Sequence, residues 1–257
     1  MRALLFALFV SSVASADEIQ VAAAASLQDA VRVIAANYQR SSSDRVLFNF
    51  AGSNVLALQI RAGAPVDVFL AADEKTMNSV DALVTARRPL LSNTLVVVSN
   101  IPLRNARELL RARRIALGDP NAVPAGVYAR QYLQRIGLWR DLLPKIIPME
   151  NVRAALAAAD SGNVDVAIVY KTDATLARHA RVAFEISGPD APHVVYPVAI
   201  VRASRHPAAA RRFFMYLNSA EAAAVFRRFG FVTLPPTRPA SSRSGGTISR
   251  PPARPRS

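Results

Sequence analysis

The chain has no cysteine, three histidines and one tryptophan in 257 residues. Without cysteine there are no disulfides, thiol catalysis, iron–sulfur clusters, cysteine zinc sites or lipid attachment at cysteine. His179, His193 and His206 do not fall at metal-ligand spacing, so no protein-to-metal centre is expected. No Gly-x-Gly-x-x-Gly opens a helix and no phosphate-cradling Gly-x-x-x-x-Gly-Lys loop is present, which removes the usual support for nucleotide binding. No other cofactor is expected. Acidic side chains are scarce, 18 against 32 basic, for a formal charge of +14. Disorder is not the explanation, because 51% of the residues are hydrophobic.

The location of the charge decides its meaning. Residues 1–16 combine Arg2, an apolar run from Ala3 to Val10 and small residues at Ala14 and Ala16. That is the make-up of a secretory signal peptide, and the run is too short to span a bilayer. A mature chain starting at Asp17 and residing in a periplasm is expected. Residues 235–257 hold five arginines, no acid and almost no large apolar side chain. Such a segment buries too little surface to offset its ordering entropy, so a disordered basic tail is expected. Setting both ends aside leaves 26 basic and 18 acidic residues, a diffuse +8. The remaining arginines stand on expected helix faces or beside turns, without interleaved aromatics, so nucleic acid is not an expected partner.

Between the ends, strand-like and helix-like segments alternate. Glu18–Ala25, Arg45–Ala51, Val66–Ala71, Thr94–Val98, Ile115–Leu117, Lys145–Met149, Val164–Val169, Val182–Ile186 and Val194–Val201 read as strands. Ser26–Arg40 carries Leu27, Ala30, Val31, Ile34, Ala35 and Tyr38 on one helical face. Ser26 with Asp29 resembles a capping box. Further helices are expected over Ser53–Ala62, from Pro124 to Ile136, after Asn151, and twice within Pro207–Phe229. The alternation implies an α/β fold with mainly parallel sheets.

Several expected strands end directly at a helix start: Ala25-Ser26, Gly52-Ser53, Pro124-Ala125-Gly126 and Asn151-Val152. In open α/β sheets such junctions lie where ligands bind. Each offers unpaired N–H groups and the positive end of a helix dipole, so several together suit an anion. Taken singly, each is equally an ordinary cap. Tyr170 reads two ways, as a site donor or as a core-edge tyrosine. Asp67 and Asp73 read as structural. Arg153 reads as a solvated helix residue, with an anion clamp as the other possibility.

Ordered segments carry a resemblance. Val21-Ala22-Ala23-Ala24-Ala25-Ser26-Leu27, Phe50-Ala51-Gly52-Ser53, Gly63-Ala64-Pro65-Val66-Asp67-Val68-Phe69-Leu70-Ala71-Ala72-Asp73 and Gly118-Asp119-Pro120 with Val123-Pro124-Ala125-Gly126-Val127-Tyr128-Ala129 resemble the periplasmic molybdate-binding proteins. So do Val152-Arg153-Ala154-Ala155-Leu156, Ile168-Val169-Tyr170 and Arg228-Phe229-Gly230-Phe231. The resemblance implies a two-lobed periplasmic binding protein with two crossover hinge strands: residues 17–97 and 199–234 in one lobe, 98–198 in the other. The crossings are expected near Leu95–Ser99 and Val195–Arg202. It implies that Ser26 and Ser53 donate from hydroxyl and backbone, Ala125 and Val152 from backbone, and Tyr170 from its phenol. The implied ligand is molybdate or tungstate, and the implied partner is the membrane permease of an ABC transporter with its ATPase subunit. A monomer and no enzymatic activity are expected. Gly52 departs from the family pattern, where a small hydroxyl residue is common. A smaller oxyanion such as sulfate on the same fold, or a secreted serine hydrolase using Ser26 or Ser53, are the other readings. The hydrolase lacks a recognisable base and a Gly-x-Ser-x-Gly elbow.

Overall fold

The computed structural model describes residues 17–235. The expected leader over 1–16 and nearly all of the expected tail over 235–257 lie outside the described residues. In chain order the elements are β1 (Glu18–Ala24), α1 (Gln28–Ser41), β2 (Arg45–Ala51), α2 (Ser53–Arg61), β3 (Val68–Leu70), α3 (Glu74–Asn78), β4 (Val84–Asn93) and β5 (Leu95–Ser99). Then come β6 (Ile115–Gly118), α4 (Pro124–Arg135), α5 (Trp139–Leu142), β7 (Ile146–Met149), α6 (Val152–Asp160), β8 (Val166–Tyr170) and α7 (Lys171–Ala174). The chain closes with β9 (Arg181–Glu185), β10 (Val194–Val201), α8 (Pro207–Tyr216), α9 (Ala220–Arg228) and β11 (Val232–Thr233). Among the described residues no helix is long and apolar enough to cross a membrane.

Two sheets form, in the orders β11-β4-β10-β3-β1-β2 and β7-β6-β8-β5-β9. The α/β, two-lobed expectation holds, with each lobe a sheet flanked by helices. The sheets are mixed, not mainly parallel. β2, β1 and β3 run parallel, as do β7, β6 and β8, because a helical crossover returns each strand in the same sense. β10, β4 and β11 add to the first sheet antiparallel, and β5 and β9 to the second.

The chain passes between sheets at Thr94, between β4 and β5, and returns through 186–193 into β10. The expected divisions at 97/98 and 198/199 therefore fall inside strands. β5 pairs along its whole length with β8, and β10 spends its whole length against β4 and β3. β4 itself is absent from the sequence expectation. Arg87, Arg88 and Pro89 interrupt its apolar pattern, and the strand is tolerated because Pro89 faces Pro197 at a register shift.

α1 buries Ala30, Val31, Ile34, Ala35 and Tyr38, the expected stripe. The capping box does not form. Residues Ala25–Leu27 tighten into a 3-10 turn and α1 starts at Gln28, so Ser26 is two residues before the helix and caps nothing. Asp67 and Asp73 are structural, as expected. Asp67 accepts from Gln20 N–H at 2.7 Å and Ser204 Oγ at 2.6 Å, and Asp73 caps α3 through Thr76 N–H at 2.9 Å.

A buried carboxylate ties α8 to the turn between α1 and β2. Asp44, 3% exposed, accepts from Tyr38 Oη and from Arg212 at Nε (3.0 Å) and Nη2 (2.6 Å). Hydrogen bonding from Arg212, opposed by burial, holds its pKa below the usual 3.8. The folded state thus binds fewer protons there than the unfolded chain. The stabilisation is present above the ordinary aspartate range and is lost as pH falls through the lowered value. Asp44→Ala is expected to cost about 2–3 kcal/mol at neutral pH, since Arg212 is half exposed and partly rehydrates. Urea unfolding should show the gap to the parent chain closing below about pH 4.

Candidate functional site

Four chain junctions meet at the facing edges of the two sheets. β1 runs into the 3-10 turn holding Ser26, β2 into α2 at Ser53, β6 into the loop before α4, and β7 into the loop before α6. All four strands belong to the parallel parts of their sheets, so their carboxyl ends point the same way in each lobe. A narrow cleft with room for little more than one small ion lies between them, lined by Ala24, Ala25, Ser26, Ala51, Gly52, Ser53, Ala72, Val123, Pro124, Ala125, Asn151, Val152 and Tyr170. The structure therefore brings together Ser26, Ser53, Ala125, Val152 and Tyr170, drawn from both lobes.

The backbone supplies donors. Ser53 and Val152 are the first residues of their helices, and Ala125 is the second of α4. Pro124 has no N–H, so Ala125 N–H is the first donor that α4 can present. Asn151 caps α6 by accepting from Arg153 N–H (2.9 Å) and Ala154 N–H (3.0 Å). That satisfies the next two N–H groups and leaves the one at Val152. No acceptor among the described residues pairs with the N–H of Ser53, Ala125 or Val152.

The hydroxyls are oriented as well. Ser53 Oγ accepts from Ala72 N–H at 2.9 Å, so its own hydrogen remains to donate. Ser26 Oγ lies 3.2 Å from Tyr196 Oη. Tyr170 is 1% exposed, and its hydroxyl has no partner among the described residues. Burial, with smaller contributions from Tyr196 and Tyr128, raises its pKa well above that of a free phenol, so it stays a neutral donor. An unpaired buried phenol is costly unless something in the cleft accepts from it.

Close approach is built in by glycine. A Cβ on Gly126 would stand 1.8 Å from the Gly118 carbonyl oxygen, so only glycine lets α4 start against β6. A Cβ on Gly52 would stand 2.8 Å from the Glu150 carbonyl oxygen, across the cleft. The departure at Gly52 thus has a physical role, since it lets the lobes come together at this point.

Arg153 is neither solvated nor an anion clamp. From the first turn of α6 it reaches across the cleft, where Nη2 donates to Asp29 Oδ2 on α1 at 2.8 Å and to the Ser26 carbonyl at 3.5 Å. Its Nε donates to Asp173 on α7, which is 0% exposed. Burial pushes the Asp173 carboxyl up to about 6, although Arg153 pulls the other way. Burial works against the charge of Arg153, but Asp173 and Asp29 outweigh it and hold the guanidinium above its usual value. Both partners are far away in sequence, so the residue types alone carry no sign of the bridge. Its guanidinium is engaged by two carboxylates, and no arginine, lysine or carboxylate lines the cleft.

The hydrolase reading finds no base. Ser26 and Ser53 are bonded to a tyrosine and a backbone N–H, and no histidine lines the cleft. Among the described residues no cluster of three or more histidine, aspartate or glutamate side chains could hold a metal ion.

Residues 19–232 match the family described as bacterial extracellular solute-binding protein. The chain is 40% identical over 243 residues to the molybdate-binding protein ModA of Escherichia coli, covering 89% of this chain and 94% of that one. It is 32% identical over 245 residues to the ModA of Haemophilus influenzae, covering 89% and 95%. Its fold superposes on the periplasmic molybdate-binding protein of Azotobacter vinelandii with a TM-score of 0.75 at 23% identity, covering 84% of this chain and 99% of that one.

Proposed function

The chain belongs to the bacterial extracellular solute-binding proteins, and we propose that its cleft captures molybdate or tungstate. The relatives at 40% and 32% identity are named for molybdate. In this reading it works outside the cytoplasm as a monomer and delivers the anion to the permease of an ABC transporter with its ATPase subunit. It is a carrier and not an enzyme.

The observation that carries the reading is the chemistry of the lining. Ser26 and Ser53 offer hydroxyls, Ser53, Ala125 and Val152 offer N–H groups, and Tyr170 offers an orphaned phenol, all uncharged donors. A fully deprotonated oxyanion has only acceptors, and each charge-assisted bond contributes about 1.5–3 kcal/mol. Six such bonds offset much of the cost of taking a dianion out of water. The diffuse +8 of the folded part attracts anions at long range without entering the cleft.

Thermal unfolding of the mature chain tests the reading. Molybdate or tungstate at 100 times its dissociation constant is expected to add about 2.7 kcal/mol of stability. Sulfate and phosphate at the same concentration should add much less. No shift with either oxometalate removes the reading, and a larger shift with sulfate reassigns the ligand.

A further inference from the structure

Tyr196 lies on β10, 1% exposed, and lines no part of the cleft itself. Its hydroxyl stands 3.2 Å from Ser26 Oγ and 3.3 Å from Asn93 Nδ2. Asn93 ends β4, where the chain is about to pass between sheets. Its amide is oriented by its neighbours: Oδ1 accepts from Thr94 N–H at 2.8 Å, and Nδ2 donates to Thr172 Oγ1 at 2.9 Å.

An amide nitrogen only donates, and a phenol has one hydrogen. Tyr196 Oη therefore accepts from Asn93, which occupies one of its lone pairs and keeps its single hydrogen available to Ser26 Oγ. With Tyr196 donating, Ser26 Oγ accepts and its own hydrogen is left to point into the cleft. The polarity of the chain Asn93–Tyr196–Ser26 runs one way, outward.

We propose that Asn93 and Tyr196 are positioning residues that lock Ser26 as a donor and so select for oxyanions that carry no proton. The proposal rests on the oxyanion reading of the cleft. A freely rotating serine accepts as readily as it donates, and would then receive the proton of hydrogen phosphate. Locked, it turns its own hydrogen toward that proton, and a buried hydroxyl left without a good acceptor is penalised. Neither residue lines the cleft.

Calorimetric titration of the full chain with molybdate and with hydrogen phosphate, directly or by competition, tests this. Tyr196→Phe and Asn93→Ala are each expected to weaken molybdate about tenfold and hydrogen phosphate far less, so that the preference narrows. In a Ser26→Ala background, Tyr196→Phe should have no further effect. Equal weakening of both anions overturns the proposal, as does a full additional loss in that background. A purely packing role for Tyr196 would lower the melting temperature without moving the anion ratio. If Tyr196→Phe does not fold, Asn93→Ala carries the test alone. A parent chain that binds neither anion removes the oxyanion reading, whereas a parent that binds molybdate beside a variant with an unmoved ratio removes only the relay.

Discussion

Ser26→Ala combined with Ser53→Ala is expected to weaken molybdate binding by about 100- to 10,000-fold. Each substitution removes one hydroxyl donor to a charged ligand, worth about 1.5–3 kcal/mol. The two sites differ in their side effects. Ser26 Oγ is bonded only to Tyr196, which can turn its hydrogen elsewhere once Ser26 is gone. Ser53 Oγ also accepts from the buried Ala72 N–H, so alanine there orphans a backbone donor as well. Ser53→Ala should therefore lower the stability of the ligand-free chain by about 1–3 kcal/mol, and Ser26→Ala by less. Calorimetric titration reads the affinity, and thermal unfolding without ligand separates the two contributions. A double variant that keeps its affinity removes both serines from the site.

Much of this was legible in the sequence, and the reasons are local. Alternating periodicities mark β1, α1, β2 and α2, because each buries one face against the same layer. Pro124 and Asn151 announce helix starts by their own chemistry, and a helix start is by itself an incipient anion site. What stayed hidden depends on pairing across long stretches of chain. Tyr196 meets Ser26 from 170 residues away, and Arg153 meets Asp29 from 124. β4 was hidden by its arginines and proline, whose pairing is decided by β10 and not by any pattern of its own. Ser26 looked like a helix cap because serine before a helical stripe usually is one. Here the tight 3-10 turn points it into the cleft instead.

Arg153 is where charge controls the molecule most directly. It bridges the lobes, donating to Asp29 and the Ser26 carbonyl on one side and to Asp173 on the other. Asp173 is fully buried, and its Oδ2 has no partner among the described residues. Removing the arginine leaves that carboxylate uncompensated, a change that typically costs about 3–5 kcal/mol. Arg153→Ala is accordingly expected to destabilise the chain by an amount near that range at pH 8. The pH dependence has a definite sign. Asp173 already titrates at about 6 in the folded chain, above its usual 3.8, because burial disfavours its charge. A raised value means that the folded state holds a proton the unfolded chain has released. The associated stability is full below the ordinary aspartate range and is lost as pH rises through the folded value. Without Arg153 that value rises further, so the loss should be small at pH 5 and large at pH 8. Adding Asp173→Asn should recover most of the stability at pH 8 but not the link to Asp29 and Ser26. The double variant is therefore expected to be stable yet to bind molybdate more weakly than the parent. Urea unfolding at the two pH values, with titration at pH 8, reads both effects. A loss that is independent of pH would show that Arg153 acts through packing and not through the buried carboxylate.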